Sequence, residues 1–220
     1  MPRFFSSDYV ERASLRDGTP IVLRLLAPED AALLRRGFDA LSPESRYARF
    51  LVPKQRLSDD ELRYLTDVDH ETHFALGAVR EDGDGRGNPI GLGIARFIRL
   101  PDRPGEPPTA EAAIAVADEV HGQGLGKLLF LRLCAAAAER GIERFRCEVL
   151  CSNASMQALV GSLAMDTHHH VEAGVTTIDF ALPGVAPDAP AAAPPPPGPM
   201  YRVFRAAAEN AVGWLFRNPR

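Results

Sequence analysis

The sequence predicts an α/β domain, strands and helices sharing one sheet, followed by a short C-terminal appendage. Three observations predict it. Residues 112–133 pass from a strand pattern (Ala112 to Val116) through three alternate glycines, Gly122, Gly124 and Gly126, into the helix-forming run Leu128-Leu129-Phe130-Leu131-Arg132-Leu133. Two further strand patterns, His73 to Val79 and Pro89 to Arg99, are joined by an Asp- and Gly-rich stretch, which favours an antiparallel hairpin because both residues accept the positive φ of a tight return. At Pro183 the composition changes abruptly: eight of the 17 residues from 183 to 199 are proline, so this stretch cannot join a ladder.

In chain order, residues 1–18 show little periodicity beyond a turn at Asp17-Gly18, and Ile21 to Leu26 reads as the first strand. Pro28-Glu29-Asp30 places proline and acids where a helix N-terminus favours them, opening a helix that runs to about Leu41. Ser42-Pro43-Glu44-Ser45 starts a second helix, Ser45 to Leu51. Ser58-Asp59-Asp60-Glu61 caps a third, with Leu62 and Leu65 turned inward. After the hairpin, Leu100 to Thr109 is a proline-rich loop, and Ala110 to Ala117 is the strand that feeds the glycines. The helix beyond them spans about Gly124 to Arg140, and Gly141 ends it. Arg144 to Leu150 alternates as a strand, Asn153 begins a helix over Ala154 to Leu163, and two strands around Ala173-Gly174 fill His168 to Leu182. The segment 183–199 is an extended linker of up to about 50 Å at roughly 3.1 Å per residue. In 200–220 a helical pattern puts Tyr201, Phe204, Ala208, Val212 and Leu215 on one face and Arg202, Arg205 and Glu209 on another. This amphipathic helix would dock on protein, its own or a partner's, or lie on an anionic membrane surface through Trp214 and its arginines.

Composition narrows the function. With 220 residues, 45% hydrophobic, the chain can bury one substantial core. A net charge of −4 gives no footprint for nucleic acid, no stretch approaches the roughly 20 apolar residues of a membrane span, and Met1-Pro2-Arg3-Phe4-Phe5 lacks a signal-peptide core; the expectation is a cytoplasmic protein. Three cysteines, Cys134, Cys147 and Cys151, without a C-x-x-C pair read as reduced core residues. His168-His169-His170 is no metal site by spacing: adjacent strand residues face opposite ways, so at most two converge, and no metal is expected.

A strand, a glycine turn and a helix start form a phosphate cradle, because glycine lets backbone approach an anion and the first-turn N–H groups lack carbonyl partners. The spacing excludes the common versions. Gly122-Gln123-Gly124-Leu125-Gly126 is G-x-G-x-G where the dinucleotide fingerprint needs G-x-G-x-x-G, and Gly126-Lys127 is followed by Leu128 where a Walker loop needs Ser or Thr. The run His121-Gly122-Gln123-Gly124-Leu125-Gly126 resembles the coenzyme A loop of the GNAT superfamily of acyl-CoA-dependent N-acyltransferases, whose pattern is Gln/Arg-x-x-Gly-x-Gly/Ala; His121 stands where Gln or Arg is usual. The run L-S-P-E-S-R-Y-A-R-F (residues 41–50) and the helix ending T-D-V-D-H (66–70) are similar to the N-terminal half of the subgroup that includes bacterial protein-lysine acetyltransferases. The resemblance covers about residues 20–180. It implies the GNAT fold, a mixed, largely antiparallel splayed sheet flanked by helices, with acetyl-CoA as co-substrate.

Roles follow from that likeness. An amine with a reference pKa of about 10.4 is mostly protonated at pH 7 and needs a base. Alternation puts Glu111 on one face of its strand with Ala113 and Ala115, small neighbours that leave room for a substrate. The resemblance implies that Glu111 is the base. It implies too that free backbone groups around Val116, Ala117 and Asp118 pair with the pantetheine and that one N–H near the thioester receives the oxyanion. The cradle, His121 to Lys127, would hold the diphosphate: Gly122, Gln123, Gly124, Leu125 and Gly126 through backbone, Lys127 through charge. Asn153 would lie beside the pantetheine or simply cap its helix. Asp118 and Glu119 are expected to cap the turn. The tyrosine that relatives place after Asn153 to protonate the leaving thiolate is missing, with Ser155 a weak substitute, and Ala164-Met165 replaces their Gly-Phe. The chain thus divides into a catalytic domain (1–182), a linker (183–199) and a terminal helix (200–220). The expected activity is acetyl transfer in a ternary complex to a protein lysine, or to a small amine or polyamine. A GNAT-like domain that binds acyl-CoA as a sensor or scaffold is the rival.

Overall fold

Strands and helices interleave along the chain, and all the strands join a single eight-stranded sheet. The computed structural model describes residues 3–81, 88–163 and 165–182. The linker and the terminal helix expected beyond residue 182 lie outside them. The strands are β1 (Val10–Ser14), β2 (Pro20–Leu25), β3 (His73–Arg80), β4 (Ile90–Arg99), β5 (Thr109–Val116), β6 (Arg144–Leu150), β7 (Met165–Glu172) and β8 (Val175–Ala181); the helices are α1 (Ala31–Ala40), α2 (Pro43–Phe50), α3 (Asp59–Thr66), α4 (Leu125–Ala138) and α5 (Ala154–Leu163). Their spatial order is β1-β2-β3-β4-β5-β6-β8-β7. Every pairing is antiparallel except β5 with β6, which the long α4 crossover makes parallel.

The local signals act as their chemistry dictates. Ser42 Oγ accepts the Ser45 N–H to start α2, and Ser58 and Glu61 form a reciprocal capping box on α3. Leu62 and Leu65 are buried under α3. One strand escapes the reading of the sequence. β1, V-E-R-A-S, pairs with β2 across the turn at Gly18 (φ +87°), so the strand expected to be first is the second. Its polar, half-exposed pattern carries no core periodicity; it is held instead from outside, where Arg132 on α4 makes two 2.7 Å bonds to the Glu11 carboxylate.

Each face of the sheet buries its own core. On the α4 face, Phe74, Phe97, Phe145 and Phe180 cross β3, β4, β6 and β8, with Phe130 of α4 packed on Phe145 and Phe180. Alanines make this possible: Ala112 pairs with Phe97 and Ala110 with Phe145, so β5 carries no bulk and the two rings meet at 5.9 Å. On the other face a smaller cluster of Phe38, Phe50, Leu57, Leu62 and Leu65 seats α1, α2 and α3 against Ile98 and Ala113.

His73, half-buried beneath α3 beside the buried Arg96, makes stability pH-dependent. Burial, reinforced by the Arg96 charge 3.2 Å away, pushes His73 down to about 4. The unfolded chain binds that proton below about pH 6.5 and the folded chain only near 4, so this contribution is complete above pH 6.5 and is lost as pH falls through that window. Denaturation at pH 7 and pH 4.5 should show about 2 kcal/mol less stability at the lower pH from this group, and His73→Gln should flatten the slope. An unchanged slope in the variant would refute the assignment.

Of the cysteines, Cys134 and Cys147 are buried, as expected of core thiols, and burial pushes Cys134 up to about 12 and Cys147 well above its usual range. Cys151 departs from the expectation: it is exposed beside Thr176 at the head of the β6–α5 turn. Iodoacetamide at pH 8 should therefore label one thiol of the native protein, Cys151, and all three after denaturation. Labelling of Cys134 or Cys147 in the native state would contradict this.

Candidate active site

The parallel pair β5/β6 is bonded only from Thr109–Arg144 to Glu111–Arg146; beyond that the two strands part. The gap opens because β5 remains laddered to β4 as far as Val116 while β6 follows β8. Backbone alternation decides what faces it. The Ala117 N–H donates to Leu92, so residues of that parity address β4, and the amides and carbonyls of Ile114 and Val116 point into the gap. Of the backbone expected to meet the pantetheine, Val116 faces the gap, whereas the Ala117 amide is taken by β4. The Ala117 carbonyl accepts the Val120 N–H, the Asp118 carbonyl accepts the His121 N–H, and His121 Nε2 sits 3.1 Å from the Val116 oxygen.

The gap continues into a cleft of about 910 Å³. Its floor is Ile114, Ala115 and Val116, one wall is α2, the other is α5, and its mouth is the start of α4. Val116, His121, Gly122, Gly124, Leu125, Gly126, Lys127 and Asn153 all line it; Ala117, Asp118 and Gln123 do not. At the mouth Gly122 (φ +75°) and Gly124 (φ +91°, the N-cap of α4) hold left-handed conformations that suit glycine, and no side chain caps the helix. The first-turn N–H groups are therefore presented to the cleft, as an anion requires. Exposed Lys127 lies on the same turn.

Asp118 has a structural task. Burial works to raise its pKa, but hydrogen bonds from Ser45 Oγ and the Ser42 N–H, the latter 2.7 Å, hold it below the usual carboxylate range. It pins the start of α2 to the end of β5 and so sets the width of the cleft. Glu119 lies 3.7 Å from Arg80, on the surface. Asn153 Oδ1 accepts the Met156 N–H, capping α5 while its side chain still borders the cleft.

Glu111 is 4% exposed and sits where β5 and β6 begin to part. It lines a smaller cavity of about 60 Å³ with Arg49, Phe50, Cys147, Glu148, Asn153 and Met156, and Arg49, Ile114, Asn153 and Met156 belong to the main cleft as well. The carboxylate is thus in a side chamber off the cleft. Arg49 forms the doorway: burial lowers its pKa to about 10, and the Glu111 charge works in the opposite direction. The chamber thus sets a carboxylate and a guanidinium side by side at the point where it opens into the cleft.

Three cleft residues were not visible in the sequence. Arg16, in the turn after β1, donates its backbone N–H to Gln123 O and Nη1 to Gly122 O, both at 3.2 Å, which braces the loop and puts a second cation near the mouth of the cleft. Its signal was hidden because it lies more than a hundred residues from its partners. Arg49 and exposed Tyr47 come from α2 and face the cleft across from α5, which lines it with the hydroxyls of Ser155 and Ser162. His168, His169 and His170 are exposed on the edge strand β7, and the described residues contain no group of three potential metal ligands. No helix among the described residues is long and apolar enough to cross a membrane.

Comparison with known proteins gives one consistent result. Residues 38–163 match the model of the acetyltransferase (GNAT) family. An acetyltransferase of Pseudomonas aeruginosa is 31% identical over 151 residues, covering 68% of this chain and 77% of that protein. Acetyltransferase Pat of Mycolicibacterium smegmatis is 32% identical over 160 residues, 68% of this chain; the chain spans 42% of that relative's length. Among solved structures, the GNAT domain of S. lividans PAT superposes with a TM-score of 0.69 at 28% identity, covering 81% of this chain and 99% of that one. A Salmonella typhimurium protein solved with its cofactor acetyl-CoA superposes with a TM-score of 0.55 at 22% identity, covering 77% of this chain and 98% of its own.

Proposed function

Because this chain belongs to the GNAT acetyltransferase family and is an acyltransferase, we propose that it moves the acetyl group of acetyl-CoA to a protein lysine by direct attack in a ternary complex. One observation carries the reading: the unladdered edge of β5 joins the uncapped start of α4 to a chamber holding a buried carboxylate. The residues fit the coenzyme. The first-turn amides of α4, with Arg16 and Lys127 beside them, would take its diphosphate, and the Ile114 and Val116 backbone would pair with its pantetheine arm, an incoming amide displacing His121 from the Val116 oxygen. Acetyl-CoA supplies the activated acyl group. Glu111 removes a proton from the acceptor ammonium, directly or through a water in the chamber, and a backbone N–H on the Ile114–Val116 rail receives the charge that builds on the thioester oxygen.

The resemblance of residues 41–50 and 66–70 to protein-lysine acetyltransferases favours a protein lysine over a small amine, and the reading carries with it a cytoplasmic location, where the acetyl donor and its acceptors meet. The test is thiol release from acetyl-CoA with lysine peptides, polyamines and amino acids as separate acceptors, with product mass determined. Acetylated peptide lysine is the expected product. Turnover confined to polyamines or amino acids would replace the acceptor, and calorimetric binding of coenzyme A without turnover would make the domain a sensor.

A further inference from the structure

We infer that the apolar cavity under α1 receives the hydrocarbon tail of acyl groups longer than acetyl, an inference that rests on the acyltransferase reading above. The cavity measures about 90 Å³ and lies between α1 and the surface of β3, β4 and β5. Leu26, Leu33, Leu34, Phe38, Leu57 and Leu65 are among the apolar side chains of its wall. Of its charged lining, Arg24 and Asp30 are bonded to each other at 2.6 and 2.7 Å, Arg96 donates to the Leu65 carbonyl at 2.9 Å, and Arg49 stands at the end shared with the cleft. It meets the coenzyme cleft at Leu41, Arg49, Ala115 and Val116, residues common to both spaces. The meeting point is therefore the stretch of β5 on which the thioester arm would lie.

Glycines keep this space open, and local packing does not demand them. Gly37 stands in the interior of α1, where glycine costs about 1 kcal/mol relative to alanine. A Cβ added to it would meet nothing within 4 Å. Across the cavity, added Cβ atoms at Gly77 and Gly91 would come no closer than 3.4 and 3.6 Å to leucine side chains, ordinary contact distances. Alanines would fill the void and strengthen the helix. A volume near that of roughly three liquid water molecules, lined by leucines, suits a few methylene groups better than water. The chemistry of transfer is the same for any chain length: the C–S bond of the thioester breaks as the C–N bond forms, the amine's proton leaves to Glu111 and a proton returns to the coenzyme sulfur.

Each methylene that enters should strengthen binding about fourfold. The experiment compares full-length protein with Gly37→Ala and Gly37→Leu, measuring calorimetric Kd for acetyl-CoA and butyryl-CoA and kcat/KM for each donor with one lysine peptide. Wild type should bind butyryl-CoA, with two more methylenes, about 15-fold more tightly than acetyl-CoA. Gly37→Leu, which adds a better helix former and fills the cavity, should bring that ratio to about one, with Gly37→Ala between. Acetyl transfer with no butyryl preference in wild type overturns this inference alone, whereas no transfer or binding of either donor overturns the proposed function. A Gly37→Leu variant that keeps the donor ratio but raises the peptide KM assigns the cavity to the acceptor and overturns the inference too.

Discussion

Glu111→Gln should lower kcat by about 10²–10⁴-fold while coenzyme affinity stays within about twofold. The amide has nearly the shape of the carboxylate but cannot accept the acceptor's proton. It fills the same 60 Å³ chamber, and none of the amides and cations at the mouth of the cleft is disturbed. The variant also removes a negative charge from beside Arg49, already held down to about 10 by burial, and some stability should go with it. Glu111→Asp separates the two effects: it keeps the charge for Arg49 but withdraws the oxygen atoms from the cleft by about one bond. If Glu111 is the base, Asp preserves stability and remains slow. If Glu111 serves only to balance Arg49, Asp is as stable as wild type and as fast, and the Gln variant loses melting temperature in proportion to any loss of rate.

That prediction could be framed from the sequence, since strand alternation put Glu111 on a face with Ala113 and Ala115 and the resemblance implied its role as base. The same local rules found the capping serines of α2 and α3 and the turn at Gly18, because each depends on neighbours within four residues. The rest required the third dimension. β1 carries no core periodicity because it is fastened by Glu11 to Arg132, 121 residues away. Arg16 was silent for the same reason. The edge of β5 needed the ladder as well: the resemblance pointed to residues 116 to 118, and the pairing with β4, which engages the Ala117 amide with Leu92, adds Ile114 to Val116 as backbone facing the gap. Asp118 shows how function and structure trade places, for the carboxylate nearest the loop serves to hold α2 and the one buried further back faces the chamber.

Gly124→Val should weaken coenzyme A binding by about 100-fold or more, the loss of two or so hydrogen bonds to a charged diphosphate at about 1.5–3 kcal/mol each. Gly124 caps α4 at φ +91°, a conformation that a β-branched residue adopts only under strain of about 1–3 kcal/mol. The loop can relieve that strain by rotating residue 124 towards negative φ, and rotation turns the Leu125 and Gly126 amides away from the cleft. Strain by itself would lower stability everywhere and binding nowhere in particular, so a matched control is needed. Gly105 has φ +79°, and a Cβ there meets nothing within 4 Å; it lies in the loop before β5, away from the cleft. Gly105→Val should therefore lose a comparable amount of stability and bind coenzyme A as wild type does. Equal weakening in both variants would mean that the α4 start is not the diphosphate site, since only one of the two substitutions alters the direction of its amides.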